Sequence, residues 1–366
     1  MELARIVVFL FGAALAIRTI YSAIQTFVLP RAANDAISGL VFRGLRSAFN
    51  LPLRKAHTYQ QRDRLMALYA PIGLLLLPPV FLILLFISFA LMYWAVGQVG
   101  SWTQAFKVSG SSLLTLGYQA PADLIDGLLM FTEAALGLIL VAVLIAYLPT
   151  IYGAFQRREQ AVTMLEVRAG SPPSAIEMIL RYHRIHGLDR LTDLWTEWER
   201  WFADIEESHT SLAALVFFRS PQSDHSWVTA AGAVLDTAAL IRSTVAVPHA
   251  AQADLCLRAG YLALRRIADF FKISYNPQPQ PTDPISIGRA EFEAACDELL
   301  RNGVPLKPDR DQAWRDFAGW RVNYDTVLLA LAAITMAPYA PWSSDRSILP
   351  ARRTKNQRAS SQSQMK

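Results

Sequence analysis

Apolar residues are concentrated in the first half of the chain. No charged residue occurs between Leu65 and Phe106, and between Gly127 and Gln156 the only one is Glu133. A helix of about 20 apolar residues crosses the ~30 Å hydrocarbon layer of a bilayer, so each stretch is long enough to span once. The first does not comfortably span twice, because Gly97, Gln98, Gly100, Ser101, Thr103 and Gln104 make its end polar. A third candidate runs from Ile6 to Leu29 and is interrupted by Arg18. An arginine at that depth is tolerated where the helix faces protein or water. The chain opens Met1-Glu2-Leu3 rather than on a basic run, and Arg18 splits the apolar core, so a membrane helix is favoured over a signal peptide.

Beyond residue 153 the pattern becomes amphipathic. Apolar residues recur at spacings of three and four in 174–186, 191–205, 228–242, 252–272 and 289–302, which predicts helices. Ser171-Pro-Pro-Ser and Asp283-Pro-Ile-Ser read as helix starts, and Gly187 as a stop. The Pro-rich stretch from Asn276 to Pro284 reads as a loop. The apolar run Val327 to Ala337, ended by Pro338, is short for a span and reads as a buried core helix. Alternating strand patterns are scarce, so an all-α membrane protein is expected.

Composition agrees with this division. The 366 residues are 53% hydrophobic and 18% charged, with a mean hydropathy of +0.24. Soluble domains carry about 25% charged residues, so the chain is too apolar to be wholly soluble and too charged to be membrane throughout. Only two cysteines are present, Cys256 and Cys296, which excludes a disulfide scaffold.

Charge suggests the topology. Residues 31–64 hold seven basic and two acidic side chains, a net of +5. Residues 98–126 hold only Lys107, Asp123 and Asp126, a net of −1, and Arg157 and Arg158 follow the last span. The positive-inside rule then places 31–64 and everything after 156 in the cytoplasm, with the N-terminus and 98–126 on the outer side of a cell (plasma or inner) membrane that the chain crosses several times. Tyr93, Trp94 and Trp102 fall near the outer boundary, as an aromatic belt would. The sequence pI of 9.2 does not point to nucleic acid, because the basic excess lies beside the membrane, where anionic lipid is the expected partner. The tail 346–366 has six basic and no acidic residues; it reads as disordered and able to reach anionic lipid or the net −5 helical domain of 157–345.

The segment between the second and third spans is half apolar, unlike an ordinary external loop. Ser101 is an N-cap candidate before about a dozen helix-compatible residues; Thr115-Leu116-Gly117-Tyr118-Gln119 follow, and then Pro121. Span, short helix, Thr-Leu-Gly-Tyr, Pro and span together resemble the pore module of the potassium-channel family, over residues 66–152. The resemblance implies an outer helix 66–97, a pore helix and filter 101–121 and an inner helix 125–152. It also implies a homotetramer, since one loop cannot enclose a pore. In that family, rings of backbone carbonyls replace the ion's hydration shell. The carbonyls of Thr115, Leu116, Gly117 and Tyr118 would do so here for K⁺, with Tyr118 packing back against the pore helix. Gln119 stands where the family has a second glycine, which leaves room for Na⁺ and a non-selective cation channel. A left-handed conformation there would cost about 1–2 kcal/mol.

Two residues of the last span stand out. Glu133 is an intramembrane acid and thus a functional candidate. It is expected either to support the filter by accepting hydrogen bonds from Ser109, Ser111 or Ser112, to pair with Arg18, to line a cavity, or to be a protonated structural residue. Gly137 lies close to the family's gating hinge, and it equally suits close helix packing.

The full expected architecture is an N-terminal membrane helix 1–30, a basic cytoplasmic linker 31–65, the pore module 66–152, an all-helical cytoplasmic domain 153–345 and the basic tail. The cytoplasmic domain would gate through a connection at 153–165. It lacks the Gly-x-Gly-x-x-Gly of a nucleotide-binding regulatory domain. Phe217-Phe218-Arg219-Ser220-Pro221 with Ser226-Trp227 is a candidate ligand site, in which Arg219 would grip a phosphate or carboxylate alongside Ser220 and Trp227. The alternatives for Arg219 are a helix cap or a pair with Asp224 or Asp236. Trp195, Trp198 and Trp201 read as a helix–helix stripe, and Asp204 to His209 as a charged surface turn. No catalytic triad, paired carboxylates or metal set stands out, so neither an enzyme nor a cofactor is expected. A non-conducting, membrane-anchored scaffold or sensor is the reading from another class.

Overall fold

The computed structural model describes residues 2–29, 35–96 and 101–346. The expected disordered tail beyond Arg346, Arg31 of the basic segment and the end of the first charge-free stretch at 97–100 lie outside the described residues. Helix accounts for 74% of the structure, and the described residues form no strand. Among the described residues, three helical stretches are long and apolar enough to cross a membrane. The chain divides into two compact units, 1–157 with 207–219, and 158–206 with 220–366.

The first unit is built on α1 (Glu2–Phe27), α2 (Ala36–Leu53), α3 (Tyr59–Ala67), α4 (Tyr69–Val96), α5 (Trp102–Leu113) and the first part of α6 (Leu124–Ala169). Helix α4 lies at its centre. Of its most apolar window 44% is buried, against 17% for α1 and α6, which therefore keep apolar faces open. Helices α1 and α4 pack closely: a Cβ on Gly12 would come within 2.7 Å of the Ser88 carbonyl oxygen, so only glycine fits. Phe27 sets its ring edge-on to Phe81 of α4 and Tyr147 of α6, with centroids 5.7 and 5.0 Å away.

The described part of the expected linker, from Asp35 onward, instead carries α2 and α3. Their start signals are local. Asp35 caps α2 by accepting from the Ser38 N–H at 2.8 Å, and Thr58 with Gln61 makes a capping box for α3. Asp35 also takes the Ser22 hydroxyl at 2.5 Å and Arg18 at 3.3 Å. Burial pushes the Asp35 carboxyl up, but the Ser22 and Ser38 hydrogen bonds and the Arg18 charge outweigh it and hold its pKa below the usual value.

Helix α6 is the second departure. The expected inner helix ended at 152, followed by a connection at 153–165. The structure runs one 46-residue helix through Pro149 to Ala169. The interior Pro149 does not end it; the helix stops at Gly170, which takes a positive φ of 79°. Past Gln156 the apolar pattern becomes amphipathic, and Val162, Leu165 and Ala169 are buried.

The second unit holds the rest of α6 with α7 (Ala175–Arg184), most of α8 (Thr192–Ser211), α9 (Trp227–Ser243), α10 (Ala251–Phe270), α11 (Arg289–Arg301), α12 (Arg310–Arg321) and α13 (Asp325–Thr335). Ser174 caps α7 as the sequence suggests. Asp283-Pro-Ile-Ser does not start a helix: the Ser286 N–H and hydroxyl donate to Asp325, and α11 begins after Gly288. Helix α9 is buried along nearly its whole length, and α13 is the short apolar core helix. The tryptophan stripe is core, with Trp195, Trp198 and Trp201 all buried. Residues 204–209, expected as a surface turn, continue α8, and His209 is buried. Both cysteines are free and buried; burial raises both thiol pKa values, that of Cys296 to about 11.

A fully buried arginine organises this unit. Arg321 donates to both oxygens of Asp236 at 2.6 and 2.8 Å, to Asp325 at 2.7 Å and to the Trp342 carbonyl at 2.7 Å. Burial alone would lower its pKa, but the two carboxylates outweigh burial and raise it. Removing one member of a buried ionic cluster leaves the others uncompensated. Arg321→Met is therefore expected to cost about 3–5 kcal/mol in chemical denaturation, while Arg258→Met, on an exposed arginine of α10, changes stability little.

Candidate functional site

The segment between α4 and α6 is shaped by α5. Ser101 caps it, its hydroxyl accepting from the Gln104 N–H at 3.3 Å. Trp94 and Trp102 stack at 4.5 Å where α4 gives way to α5. The buried face of α5 carries Ala105, Val108, Ser109, Ser111, Ser112 and Leu113. These serines are small enough to let neighbouring helices approach, and the hydroxyls of Ser109 and Ser112 are aimed at specific acceptors.

Glu133 of α6 is one of them, with no exposed surface. The Ser109 hydroxyl lies 2.5 Å from its Oε1, and the Tyr93 hydroxyl of α4 donates to its Oε2 at 3.0 Å. Of the roles expected for Glu133, the geometry fits support of α5 from behind. The pair with Arg18 is not formed, since Arg18 bonds Asp35. Ser112 donates to the Met130 carbonyl at 2.6 Å, adding a second tie between α5 and α6. Tyr93, expected in the aromatic belt, is buried in this network instead. Nothing in the local sequence points to it, because its partner is 40 residues away.

Beyond Leu113 the backbone turns sharply. Thr115 takes a φ of 54° and Gly117 a φ of 70°. A left-handed conformation is costly for a β-branched residue. It is held by the Thr115 N–H donating to the Ser112 carbonyl at 2.9 Å and the Leu116 N–H donating to the Ser111 carbonyl at 2.8 Å. Open space surrounds the point where a Cβ on Gly117 would sit, so it is the dihedral, not crowding, that requires glycine. Gln119 does not adopt a positive φ; the strain expected there falls on Thr115.

The outer part of the loop is tied back to α5. The Tyr118 hydroxyl donates to the Lys107 carbonyl at 3.1 Å. The Gln119 N–H donates to the Ser111 hydroxyl at 3.3 Å, and the Gln104 side-chain amide donates to that of Gln119 at 2.9 Å. Leu114, Leu116 and Tyr118 remain exposed and border an open groove of about 670 Å³ along α5.

Gly137 meets the end of α5. A Cβ there would lie 2.6 Å from the Leu113 carbonyl oxygen, so the residue allows α6 and the end of α5 to pack closely.

The residues of the other candidate site fall in both units. Arg219 belongs to the first unit, where it pairs with Asp63 at 2.7 Å and donates to the Tyr59 hydroxyl at 3.0 Å. Ser220 and Trp227 belong to the second unit, and Trp227 is buried as the first residue of α9. The alternative partners of Arg219 are engaged elsewhere: Asp224 accepts from Ser171, and Asp236 from Arg321.

No protein-family model, curated protein or solved structure matches the chain.

Glu133→Ala removes the acceptor of the buried Tyr93 hydroxyl, and is expected to destabilise the first unit by about 1–3 kcal/mol. Glu133→Gln keeps an acceptor and costs less. Thermal unfolding in detergent, followed by tryptophan fluorescence, separates the two.

Proposed function

We propose that the chain is one subunit of a tetrameric, potassium-permeable cation channel of the cell membrane. The carbonyls of Thr115, Leu116, Gly117 and Tyr118 form its filter, and the helical C-terminal domain gates it. The observation that carries this is the loop after α5, in which Thr115 and Gly117 both take left-handed dihedrals and α5 is tied from behind to Glu133. Backbone strain of this kind persists only where surrounding structure holds it, and it clusters at functional sites.

The chemistry follows from the backbone. Non-helical backbone at membrane depth is tolerated where it is buried or lines water. A ring of four such loops would offer carbonyl oxygens in place of an ion's hydration shell. The C-terminal end of α5 carries partial negative charge, which favours a cation nearby. The exposed Leu114, Leu116 and Tyr118, the groove beside them and the open apolar face of α6 suit contacts with adjacent copies.

Topology and lipid contacts belong to the same proposal. The N-terminus would lie outside and the C-terminal domain in the cytoplasm, by the basic residues of 31–64. Arg43, Arg54, Lys55, Arg62 and Arg64 are exposed on α2, α3 and their connection, beside exposed Leu40 and Leu51. That mixture suits a helix lying against anionic headgroups.

A non-selective cation channel is the second reading. It is favoured by Gln119, whose side chain is held by Gln104 where the potassium-channel family has glycine.

The test is flux through purified protein in liposomes, under a potassium gradient and then a sodium gradient. Potassium flux abolished by Gly117→Asp is the expected result. Comparable sodium flux supports the non-selective reading. No flux of either ion, from folded protein, contradicts both.

A further inference from the structure

The segment 207–219 lies, in sequence, within the C-terminal domain, yet it is part of the membrane unit. It is reached by α8, one unbroken helix from Thr192 to Ser211. The tryptophan-bearing part of α8 belongs to the second unit, and its last turn belongs to the first. One continuous helix thus contributes residues to both units. After it the chain makes a 3-10 turn at Ala213–Phe217 and returns to the second unit at Ser220.

What the segment holds in the first unit is specific. Leu215 and Val216 are buried, and Leu215 is part of the apolar core shared with α4 and α6. Phe217 sets its ring edge-on to Tyr69, the first residue of α4, at 5.6 Å. Phe218 packs on Phe155 of α6 at 5.7 Å. Arg219 closes the contact on Asp63 and Tyr59 of α3, with side chains 9% and 11% exposed for the arginine and Asp63. Only Leu68 separates α3 from α4. The segment therefore grips α4, through Tyr69 and through α3, and also α6.

We infer that residues 207–219 are the finger through which the C-terminal helical domain sets the position of the membrane helices, with Asp63–Arg219 as its latch. Breaking a buried pair leaves an uncompensated charge, so the latch is either closed or the finger is displaced. A shift of α8 along its axis is carried into the finger because the helix is continuous. Tyr69 and Phe155 then move together, coupling the outer helix to the pore-lining one. Packed interfaces of this kind switch between discrete arrangements rather than deform smoothly. The gating consequence rests on the channel reading above; the mechanical link does not.

The experiment compares the wild-type full chain with Arg219→Gln, Asp63→Asn and the charge exchange Asp63→Arg with Arg219→Asp. Open probability is recorded in planar bilayers, with unitary conductance and the potassium-to-sodium permeability ratio as controls. In parallel, spin labels at Lys55→Cys and Tyr152→Cys, both exposed sites, report the distance between the α2–α3 connection and α6.

Both single variants are expected to change open probability about tenfold in the same direction, because each releases the same latch. Conductance and permeability ratio stay unchanged. Both add a second population to the label distances, and the charge exchange restores open probability and distances toward wild type. Folded single variants that keep wild-type open probability and wild-type distances overturn the inference. A wild-type protein that never conducts refutes the channel reading, and the label distances then decide the finger alone: a second population sustains it, and unchanged distances overturn it.

Discussion

A carboxyl group buried among apolar helices must find donors, and most of the first unit follows from where Glu133 finds them. Its donors sit on two different helices, Tyr93 on α4 and Ser109 on α5, while Glu133 itself is on α6. Satisfying one side chain therefore fixes three helices against each other. The short helix α5, too polar to be held by apolar burial alone, is pinned at its middle. Its C-terminal end is pinned by the Ser112 hydroxyl on α6 and by the close approach of Leu113 to Gly137. Only with that end immobile can Ser111 and Ser112 hold Thr115 and Leu116 in a conformation the chain would not choose by itself.

The second unit solves the same problem with a cation. Arg321 has no exposed surface and gathers Asp236, Asp325 and a backbone carbonyl from separate segments. Around it lie helices whose apolar faces are otherwise generic. The two units thus have independent organising groups, and α6, α8 and the return at 219–220 are the places where the chain passes between them.

Much of this was legible in the chain, for identifiable reasons. Long charge-free runs announce membrane-length helices, three-four spacing announces the amphipathic ones, and Ser101 and Ser174 mark their helix starts by the chemistry of their side chains. The loop drew attention because Thr-Leu-Gly-Tyr sits between two apolar runs, and Glu133 because it is alone there. Local signals were also missed. Charge in 31–65 suggested a linker, although Asp35 and the Thr58–Gln61 pair are ordinary helix caps. The length of α6 was hidden by the change from an apolar to an amphipathic pattern in the middle of one helix. Other features had no local signal at all. Asp63 finds Arg219 at a separation of 156 residues, and Ser286 is drawn from a helix start to Asp325 by tertiary structure.

A carbonyl filter requires four copies of the loop around one axis, and electron cryo-microscopy of the protein in lipid nanodiscs with potassium chloride tests that arrangement most directly. The expected result is four copies around an axis, with the carbonyls of Thr115, Leu116, Gly117 and Tyr118 facing that axis and ion density between them. A monomer, a dimer, or an assembly whose Thr115–Tyr118 loops face lipid or lie apart from any axis would contradict it.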